Sequence, residues 1–564
     1  MTFAAQICIP LLLTITLGAQ EVDTILTKTK KATSILDEVE DPAERKAYLA
    51  LRAATDPLSR RSLATTFLHR YPGSWLLAQV YEAAAKSSME LSDDPSALSY
   101  ARRSLQIYPE NPLLLVPVAI VQARRGETRA AIESARTALE YLDRFAKPAG
   151  IAARDWKKIA GQLRESATQI LNSAGQKYTS PGAASRANAS GSSYAGSLAC
   201  KTCHIDQFVS WSQTGMARML RPVDAESVIG DFETKYIVAG GTAAQMSRHK
   251  ALFFMDLRRT SGGWDRYRVD FTIGSKWQQA YATRMPSGEL HVLPIQYNKL
   301  RKSWINYWST IDPHGSERSE TGEFYRARDV TSYQQNCAPC HTSQPNASSF
   351  REPGVNCEMC HGPSAAHASG NPAPWSFRNL DHKSYVDVCA QCHAQSALRE
   401  PQMFPPRYER RPYVEFSRRA FYRDGRFRET TFIVEAFERS SCFRKGKAHC
   451  GSCHDPHPPN PSENQKSLRF LNDPDQMCLQ CHDGSFTAIK HTHHEPKTEG
   501  SRCTSCHMPR IMNSLLFLAG NHQIDDKPNA AMTAQFGQTE SPNACLQCHG
   551  NRSAQWLTEQ LRSW

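Results

Sequence analysis

Eight copies of one short pattern, Cys-x-x-Cys-His, are the residues of this sequence best placed to do chemistry. The spacing is that of a c-type haem attachment site, where both thiols bond to the porphyrin and the adjacent imidazole binds its iron. In chain order, motifs 1 to 8 are Cys200–Cys203–His204, Cys337–Cys340–His341, Cys357–Cys360–His361, Cys389–Cys392–His393, Cys450–Cys453–His454, Cys478–Cys481–His482, Cys503–Cys506–His507 and Cys545–Cys548–His549.

Disulfides and zinc sites also use Cys-x-x-Cys spacing, but neither requires a histidine after the second cysteine. Only 20 of the 564 residues are histidine, so eight such placements are not a chance result. The sequence therefore predicts eight covalently attached haems, with the motif cysteines as attachment points and the motif histidines as iron ligands. Cys8 and Cys442 are the two cysteines left over.

The formal net charge of +12 would by itself suggest an anionic partner such as nucleic acid. Eight haems, however, carry propionate carboxylates that offset most of this excess. We therefore expect no nucleic-acid binding.

An apolar run from Ile7 to Leu17 opens the chain, and Gly18, Ala19 and polar sequence follow it. The run is short for a membrane span and predicts a signal peptide over residues 1–19. Attachment of c-type haem takes place outside the bacterial inner membrane, which also indicates export. We expect a periplasmic or outer-surface bacterial protein that is not an integral membrane protein after signal cleavage.

Residues 20–177 predict a tetratricopeptide-like domain of helical hairpins. When Pro112 is taken as the first position of a 34-residue unit, small residues fall where two helices must approach closely. These residues are Ala119, Ala131, Ala135 and Ala138. Residues 178–197 are rich in serine, alanine and glycine, which predicts a flexible linker.

Residues 198–564 are then the octahaem domain. A long stretch without a motif, about residues 225–330, alternates polar and apolar residues and predicts a β-rich insert. From Cys337 onward seven motifs share too little chain for a conventional apolar core, so the haems should form the core with little regular structure around them. The predicted fold is mainly α: a helical-hairpin domain, then a multihaem domain with a small β-rich insert.

An iron that only carries electrons also needs a second axial ligand. A histidine a few residues beyond a motif cannot easily turn back onto its own haem, but it can reach the distal face of a neighbour. The histidines placed in this way are His367, His457, His522 and the trio His491, His493 and His494.

Several of these segments resemble a known family. His361-Gly-Pro-x-x-x-His367, His454-Asp-Pro-His457, Thr492-His-His494 and Pro542-Asn-Ala-Cys545 are similar to multihaem cytochromes related to hydroxylamine oxidoreductase and pentahaem nitrite reductase, in the branch fused to tetratricopeptide repeats. The resemblance covers about residues 194–564. It implies distal ligands at His367, His457, His493 or His494, and His522, and it puts Met216 where a ligand is expected. No motif reads Cys-x-x-Cys-Lys, so nitrite reduction does not follow from the resemblance.

Two functions remain open. The first is a conduit that carries electrons along mostly bis-histidine haems between redox proteins, membrane-bound electron donors among them, with the helical repeats as a docking surface. The alternative is a multihaem oxidoreductase acting on a small nitrogen or sulfur oxyanion at one five-coordinate haem. The sequence favours the conduit and leaves open whether the protein is an enzyme.

Overall fold

The computed structural model describes residues 35–36, 39–144, 147, 151–178, 187–188, 193–233, 236–239, 241–259, 261–306, 332–346, 349–373, 376–398, 403–410, 421–514, 517–525 and 528–564. The predicted signal peptide and most of the predicted linker lie outside these residues. Within them, no helix is both long and apolar enough to cross a membrane.

Seven helices form the N-terminal region, which we call the helical region. They are α1 Pro42–Ala53, α2 Pro57–Arg70, α3 Leu77–Glu90, α4 Asp94–Ile107, α5 Pro112–Arg124, α6 Thr128–Arg144 and α7 Ala153–Ser173. Four of them begin at a capping Asp or Asn that is followed by a proline in the first turn. The cap side chain accepts a free backbone N–H, and proline lacks the N–H that would otherwise be unpaired there. Local sequence thus fixes where these helices start.

Small residues let the helices of this region pack closely. Ala119, Ala131, Ala135 and Ala138 are fully or almost fully buried, in one apolar cluster with Leu139 and with Leu163 and Leu171 of α7. A second cluster around Phe67 joins α1, α2 and α3. The helical region therefore has a conventional apolar core.

Two antiparallel sheets follow the first haem motif and form the predicted β-rich insert. The strands are β2 Leu220–Pro222, β3 Ile237–Ala239, β4 Thr242–His249, β5 Leu252–Arg258, β6 Trp264–Arg268, β7 Phe271–Ile273, β8 Gln278–Arg284, β9 Leu290–Val292, β10 Ile295–Asn298 and β11 Ser303–Asn306, with β1, Ala187–Asn188, before them. One sheet has the order β3-β4-β5-β6; the other has β11-β10-β8-β7-β2, with β9 paired to β8. A mainly α fold with a separate small β region is confirmed.

The rest of the chain, from residue 332 to the end, consists of short elements. Its helices are α10 Tyr333–Asn336, α11 Ala338–His341, α12 Cys357–His361, α13 Ala365–Ala368, α14 His382–His393, α15 Ile433–Arg439, α16 Ser441–Arg444, α17 Cys450–Cys453, α18 Gln476–Leu479, α19 Ile489–Thr492, α20 Cys503–His507, α21 Ala530–Glu540, α22 Ala544–Cys548 and α23 Ala554–Ser563. Two earlier helices, α8 Ser197–Cys200 and α9 Ile205–Ser212, adjoin motif 1. Its strands form two-residue to five-residue ladders: Thr342–Ser343 with Glu352–Pro353, Ser396–Leu398 with Tyr408–Arg410, Met403–Phe404 with β1, and Arg510–Ser514 with Phe517–Gly520. Six of the helices from residue 332 onward are single turns that contain residues of a motif, and motif 4 ends the longer helix α14.

The helical region packs directly against this motif-bearing region. Arg439 binds the carboxylate of Glu110 with both arms of its guanidinium, one of them at 2.8 Å, and both side chains are about 95% buried. Arg439 also donates to the carbonyl of Gly425 at 2.6 Å. At Gly425, where φ is +87°, a Cβ would come within 2.2 Å of the carbonyl oxygen of Ile107. The two regions are therefore held at close range by a buried ion pair and a glycine contact.

Candidate haem centres

All eight motifs border one continuous cavity of about 4330 Å³. A pocket for a single small molecule is typically about 300–1,000 Å³, so this cavity has room for several porphyrins. The motif residues on its wall are Cys200, His204, Cys337, Cys340, His341, Cys357, Cys360, His361, Cys389, Cys392, His393, Cys450, Cys453, His454, Cys478, Cys481, His482, Cys503, Cys506, His507 and Cys548. Among the described residues every cysteine is a free thiol, as haem attachment requires.

Five of the motif histidines face a second imidazole. The distances between ring centroids are 6.3 Å for His204 and His367, 6.1 Å for His361 and His457, 6.4 Å for His454 and His522, 6.1 Å for His507 and His491, and 6.1 Å for His549 and His494.

This separation fits one metal ion between the two rings. With metal–nitrogen bonds of about 2 Å and about 1.1 Å from each ring centroid to its nitrogen, two imidazoles on one ion have centroids roughly 6.2 Å apart. Rings in direct stacking contact would be closer. The five pairs therefore fit bis-histidine irons, with the motif cysteines beside them as attachment points for the porphyrins.

Several rings are held in the orientation that such coordination needs. The Nδ1 atoms of His367, His494 and His522 lie 2.7–3.0 Å from the backbone carbonyl oxygens of Asn371, Thr492 and Gly520 respectively. An Nδ1–H donated to a carbonyl fixes the tautomer and leaves Nε2 as the free donor atom.

The same second contact occurs on the motif side. Nδ1 of His454 lies 3.0 Å from the carbonyl oxygen of Lys466, and Nδ1 of His507 lies 2.7 Å from that of Asp525. Burial lowers the pKa of His361 and of His522 to about 4, which keeps both imidazoles in the neutral form that binds a metal.

The histidine trio separates into two kinds of residue. His491 and His494 face motif histidines, whereas His493 stacks on Trp564 with centroids 4.2 Å apart and planes 4° from parallel. That spacing leaves no room for an ion between the rings. His493 has a left-handed backbone, with φ at +55°, which directs it away from its two neighbours. His493, which the resemblance offered as a distal ligand, therefore faces no motif histidine among the described residues. His491, to which the resemblance gave no such role, faces His507.

Three motif histidines, His341, His393 and His482, face no second imidazole among the described residues. Tyr333 lies edge-on to His341 at 6.2 Å, and its buried hydroxyl has no hydrogen-bond partner in the described part of the chain. Phe486 lies edge-on to His482 at 5.9 Å.

Met216, the other candidate ligand, is on the wall of the cavity, and its carbonyl oxygen accepts a hydrogen bond from the backbone N–H of Val355 at 3.0 Å. Lys276 reaches the same cavity from the β7–β8 turn.

The remaining histidines have other surroundings. His69 and His249 are exposed. His382 packs on Phe443 with centroids 5.0 Å apart, His449 packs on Tyr385 at 4.1 Å, and buried His291 lies 3.8 Å from a Glu289 oxygen. His314 lies outside the described residues.

Thiols from different motifs touch one another. Cysteine pairs at hydrogen-bonding distance join motifs 1 and 3, motifs 2 and 4, motifs 4 and 5, and motifs 6 and 7; they are Cys200 with Cys357, Cys340 with Cys392, Cys389 with Cys450, and Cys478 with Cys503. Neighbouring attachment points therefore lie side by side along the cavity.

Two family models match parts of the chain. A doubled CXXCH motif matches residues 442–486, and a model described as cytochrome c554 and c-prime matches residues 295–362. Among curated proteins, none has a sequence that matches significantly. A solved structure titled "Crystal Structure of Outer Cell Wall Cytochrome OcwA" aligns with a TM-score of 0.43 and 16% identity, over 66% of this chain and 86% of that one, a likeness too weak to carry any functional conclusion.

The motifs and the two matches define the class. The chain has the features of a multihaem c-type cytochrome, and its CXXCH motifs indicate covalently bound c-type haem. The finer kinship to hydroxylamine oxidoreductase and its tetratricopeptide-fused branch stays a prediction.

Proposed function

We propose that the protein is an octahaem cytochrome that conducts electrons along covalently bound, mostly bis-histidine haems. The observation that carries this proposal is the set of five imidazole pairs, each 6.1–6.4 Å between centroids, of which four lie on the wall of one cavity. Six-coordinate iron exchanges electrons without binding substrate, and its potential is set by axial ligands, hydrogen bonds to them and burial.

The second histidines come from segments that follow a different motif. His367 follows motif 3 and faces motif 1, His457 follows motif 5 and faces motif 3, and His522 follows motif 7 and faces motif 5. Each segment would thus hold its own haem and supply a ligand to another. This cross-ligation supports a fixed succession of haems 1, 3, 5 and 7, because no iron in it can move without its neighbour.

The thiol contacts support a route between the other motifs. They join motif 2 to motif 4, motif 4 to motif 5 and motif 6 to motif 7. A porphyrin is attached at each thiol, so touching thiols bring the edges of two porphyrins together. His494, which follows motif 6, faces His549 of motif 8. The proposed path therefore runs between motifs 1 and 8, with motifs 4 and 2 as a side branch at motif 5.

A second function is favoured by one specific observation. His341 and His482 face aromatic rings and no second imidazole in the described part of the chain. An iron there with an open position would suit the alternative, an oxidoreductase for a small nitrogen or sulfur oxyanion. Beside His341, the buried hydroxyl of Tyr333 has no hydrogen-bond partner in the part of the chain that the structure describes, and it is the kind of donor such a site would use.

We also propose that the protein is exported, on the strength of the predicted signal peptide and of the haem chemistry. Redox proteins, including membrane-bound donors, are the proposed partners. They would dock on the tetratricopeptide-like helices, on surface that the motif-bearing region does not already cover.

Voltammetry of the holo-protein on an electrode separates the two functions. The conduit predicts a reversible signal of eight electrons per chain that is unchanged when nitrite, hydroxylamine or tetrathionate is added. A catalytic current with one of these would favour the alternative. A signal of six electrons or fewer would contradict the octahaem assignment.

A further inference from the structure

One short loop, residues 521–525, reaches the histidines of two proposed haem centres. Its His522 faces His454 of motif 5, with ring centroids 6.4 Å apart. Its last residue, Asp525, lies against His507 of motif 7. The Asp525 carbonyl oxygen is 2.7 Å from Nδ1 of His507, and the Asp525 N–H donates to the His507 carbonyl oxygen at 3.0 Å. This segment, which we call the return loop, therefore presents the second imidazole at motif 5 and orients the motif histidine of motif 7.

The return loop does not hold its shape by backbone preference alone. Ile524, which lies between the two residues that face the histidines, has φ at +52°, a left-handed value that is disfavoured for a β-branched side chain. Asn521 is fully buried; its side-chain oxygen accepts from the N–H of Gln523 at 3.1 Å, and its own N–H donates to the Pro509 carbonyl oxygen at 2.9 Å. A conformation of this kind persists only where the surrounding contacts impose it.

The far end of the return loop is held by Arg426, which comes from a distant part of the chain. Nη1 of Arg426 is 3.3 Å from Oδ2 of Asp525. The same guanidinium donates to Oδ2 of Asp424 at 3.0 and 2.7 Å, and the Ser541 hydroxyl donates to that oxygen at 2.7 Å. The side chains of Arg426 and of both aspartates are more than four-fifths buried. A buried charge is costly unless it is paired, so this cluster is expected to stay closed around the loop.

We propose that Arg426 is a positioning residue for two haem centres at once, acting through the return loop on His507 at motif 7 and on His522 at motif 5. The contact at the second nitrogen of an axial imidazole fixes the orientation of its ring and tunes the metal. The inference rests on the proposed function, because it needs haems attached at motifs 5 and 7. One substitution outside every motif should therefore alter these two centres together.

Two substitutions release the loop in different ways. Arg426→Gln removes the guanidinium. Asp525→Ala keeps the backbone of residue 525 and leaves Arg426 paired with Asp424, so it tests the same contact if Arg426→Gln accepts no haem. Asp525→Asn is the conservative variant, because its amide oxygen still accepts from Arg426 but carries no charge. Arg428→Gln is the matched control, since Arg428 lies in the same segment but pairs at 2.5 Å with Glu540 of α21.

Electron paramagnetic resonance of the oxidised holo-proteins reads the two centres separately. The low-spin signal lost in His522→Ala belongs to motif 5, and the one lost in His491→Ala belongs to motif 7. We expect both signals, and the reduction potentials of the same haems in a redox titration, to shift in Arg426→Gln and in Asp525→Ala. Both should keep their parent values in Asp525→Asn and in Arg428→Gln. In Asp525→Ala the other low-spin signals should not move, whereas a general loss of structure would move them all.

Parent-like signals of both haems in Arg426→Gln and Asp525→Ala overturn the inference, and so does a shift of only one of them. A shift in Asp525→Asn or in Arg428→Gln as large as in Asp525→Ala also overturns it, because the loss of a charge or of any ion pair would then be the cause. If His522→Ala and His491→Ala remove no low-spin signal, or if mass mapping finds motif 5 or motif 7 without haem, the proposed function itself fails. The two failures are therefore distinguishable.

Discussion

The helical region and the motif-bearing region build their interiors in different ways. In the helical region, aliphatic side chains such as Leu139, Leu163 and Leu171 are almost completely buried against closely packed alanines. In the motif-bearing region the interior contains a cavity of about 4330 Å³, whose wall carries cysteines and histidines of the motifs. One interior is made of side chains, and the other is shaped to be completed by porphyrins.

The contact between the two regions differs from both interiors, because buried ion pairs hold it together. Arg144 binds Glu438 and lies 3.5 Å from Asp387, and Arg439 binds Glu110. These charges are mostly buried, and a buried charge is tolerated only when it is paired. The helical region is therefore joined firmly to the motif-bearing region. Only the surface of its helices outside this contact is available to partners.

The largest predicted effect comes from withholding haem. In full-length protein made without cytochrome c maturation, we expect the helical region to stay folded on its apolar core and the motif-bearing region to lose its structure, because its interior is then incomplete. Limited proteolysis should leave a fragment that contains α1 to α7, with a helical circular dichroism spectrum. If both regions resisted protease equally, the motif-bearing region would not need haem to complete its interior, and the contrast between the two interiors would be wrong.

Next comes the buried pair at the interface. Arg439→Ala leaves Glu110 charged and buried, which typically costs about 3–5 kcal/mol. Urea unfolding of the holo-protein, with the haem absorbance and the helical signal followed separately, should show this loss. The double variant Glu110→Leu/Arg439→Met is the control and should recover much of it. A single variant as stable as the parent would mean that the two regions do not depend on each other.

A smaller change is expected at a single haem. His457→Ala should leave eight covalent haems in place and convert one from low to high spin, because the imidazole facing His361 is lost. His493→Ala is the matched control: His493 stacks on Trp564 at 4.2 Å and should leave the spin states unchanged. Identical spectra of parent and His457→Ala would show that His457 binds no iron.

The smallest effect is predicted for an exposed pair across the same interface. Lys445 and Glu133 are 3.5 Å apart with both side chains more than half exposed. Exposed pairs contribute little, so Lys445→Gln should change the free energy of unfolding by less than about 1 kcal/mol. A loss as large as that of Arg439→Ala would show that charge, and not burial, holds the regions together.

Local features of the sequence predicted much of this molecule. The motifs, the capped helices and the alternating strands each act over a few residues, and they predicted the N-terminal helices and the separate small β region that the structure has. Spacing also singled out His367, His457 and His522, which do face motif histidines. Their binding of iron stays a prediction.

Features that depend on distant residues were not predictable. Glu110 and Arg439 meet across 329 residues, and no local pattern marks them as partners. The choice among His491, His493 and His494 depends on one left-handed residue and on the position of Trp564 at the chain end.

One measurement tests the central claim, that the interior of the second region is an array of haems joined by paired histidines. It is quantitative electron paramagnetic resonance of the oxidised holo-protein, scaled to iron and to pyridine haemochrome. Eight haems per chain are expected, of which at least five are low-spin and six-coordinate. Fewer than five low-spin haems would contradict it.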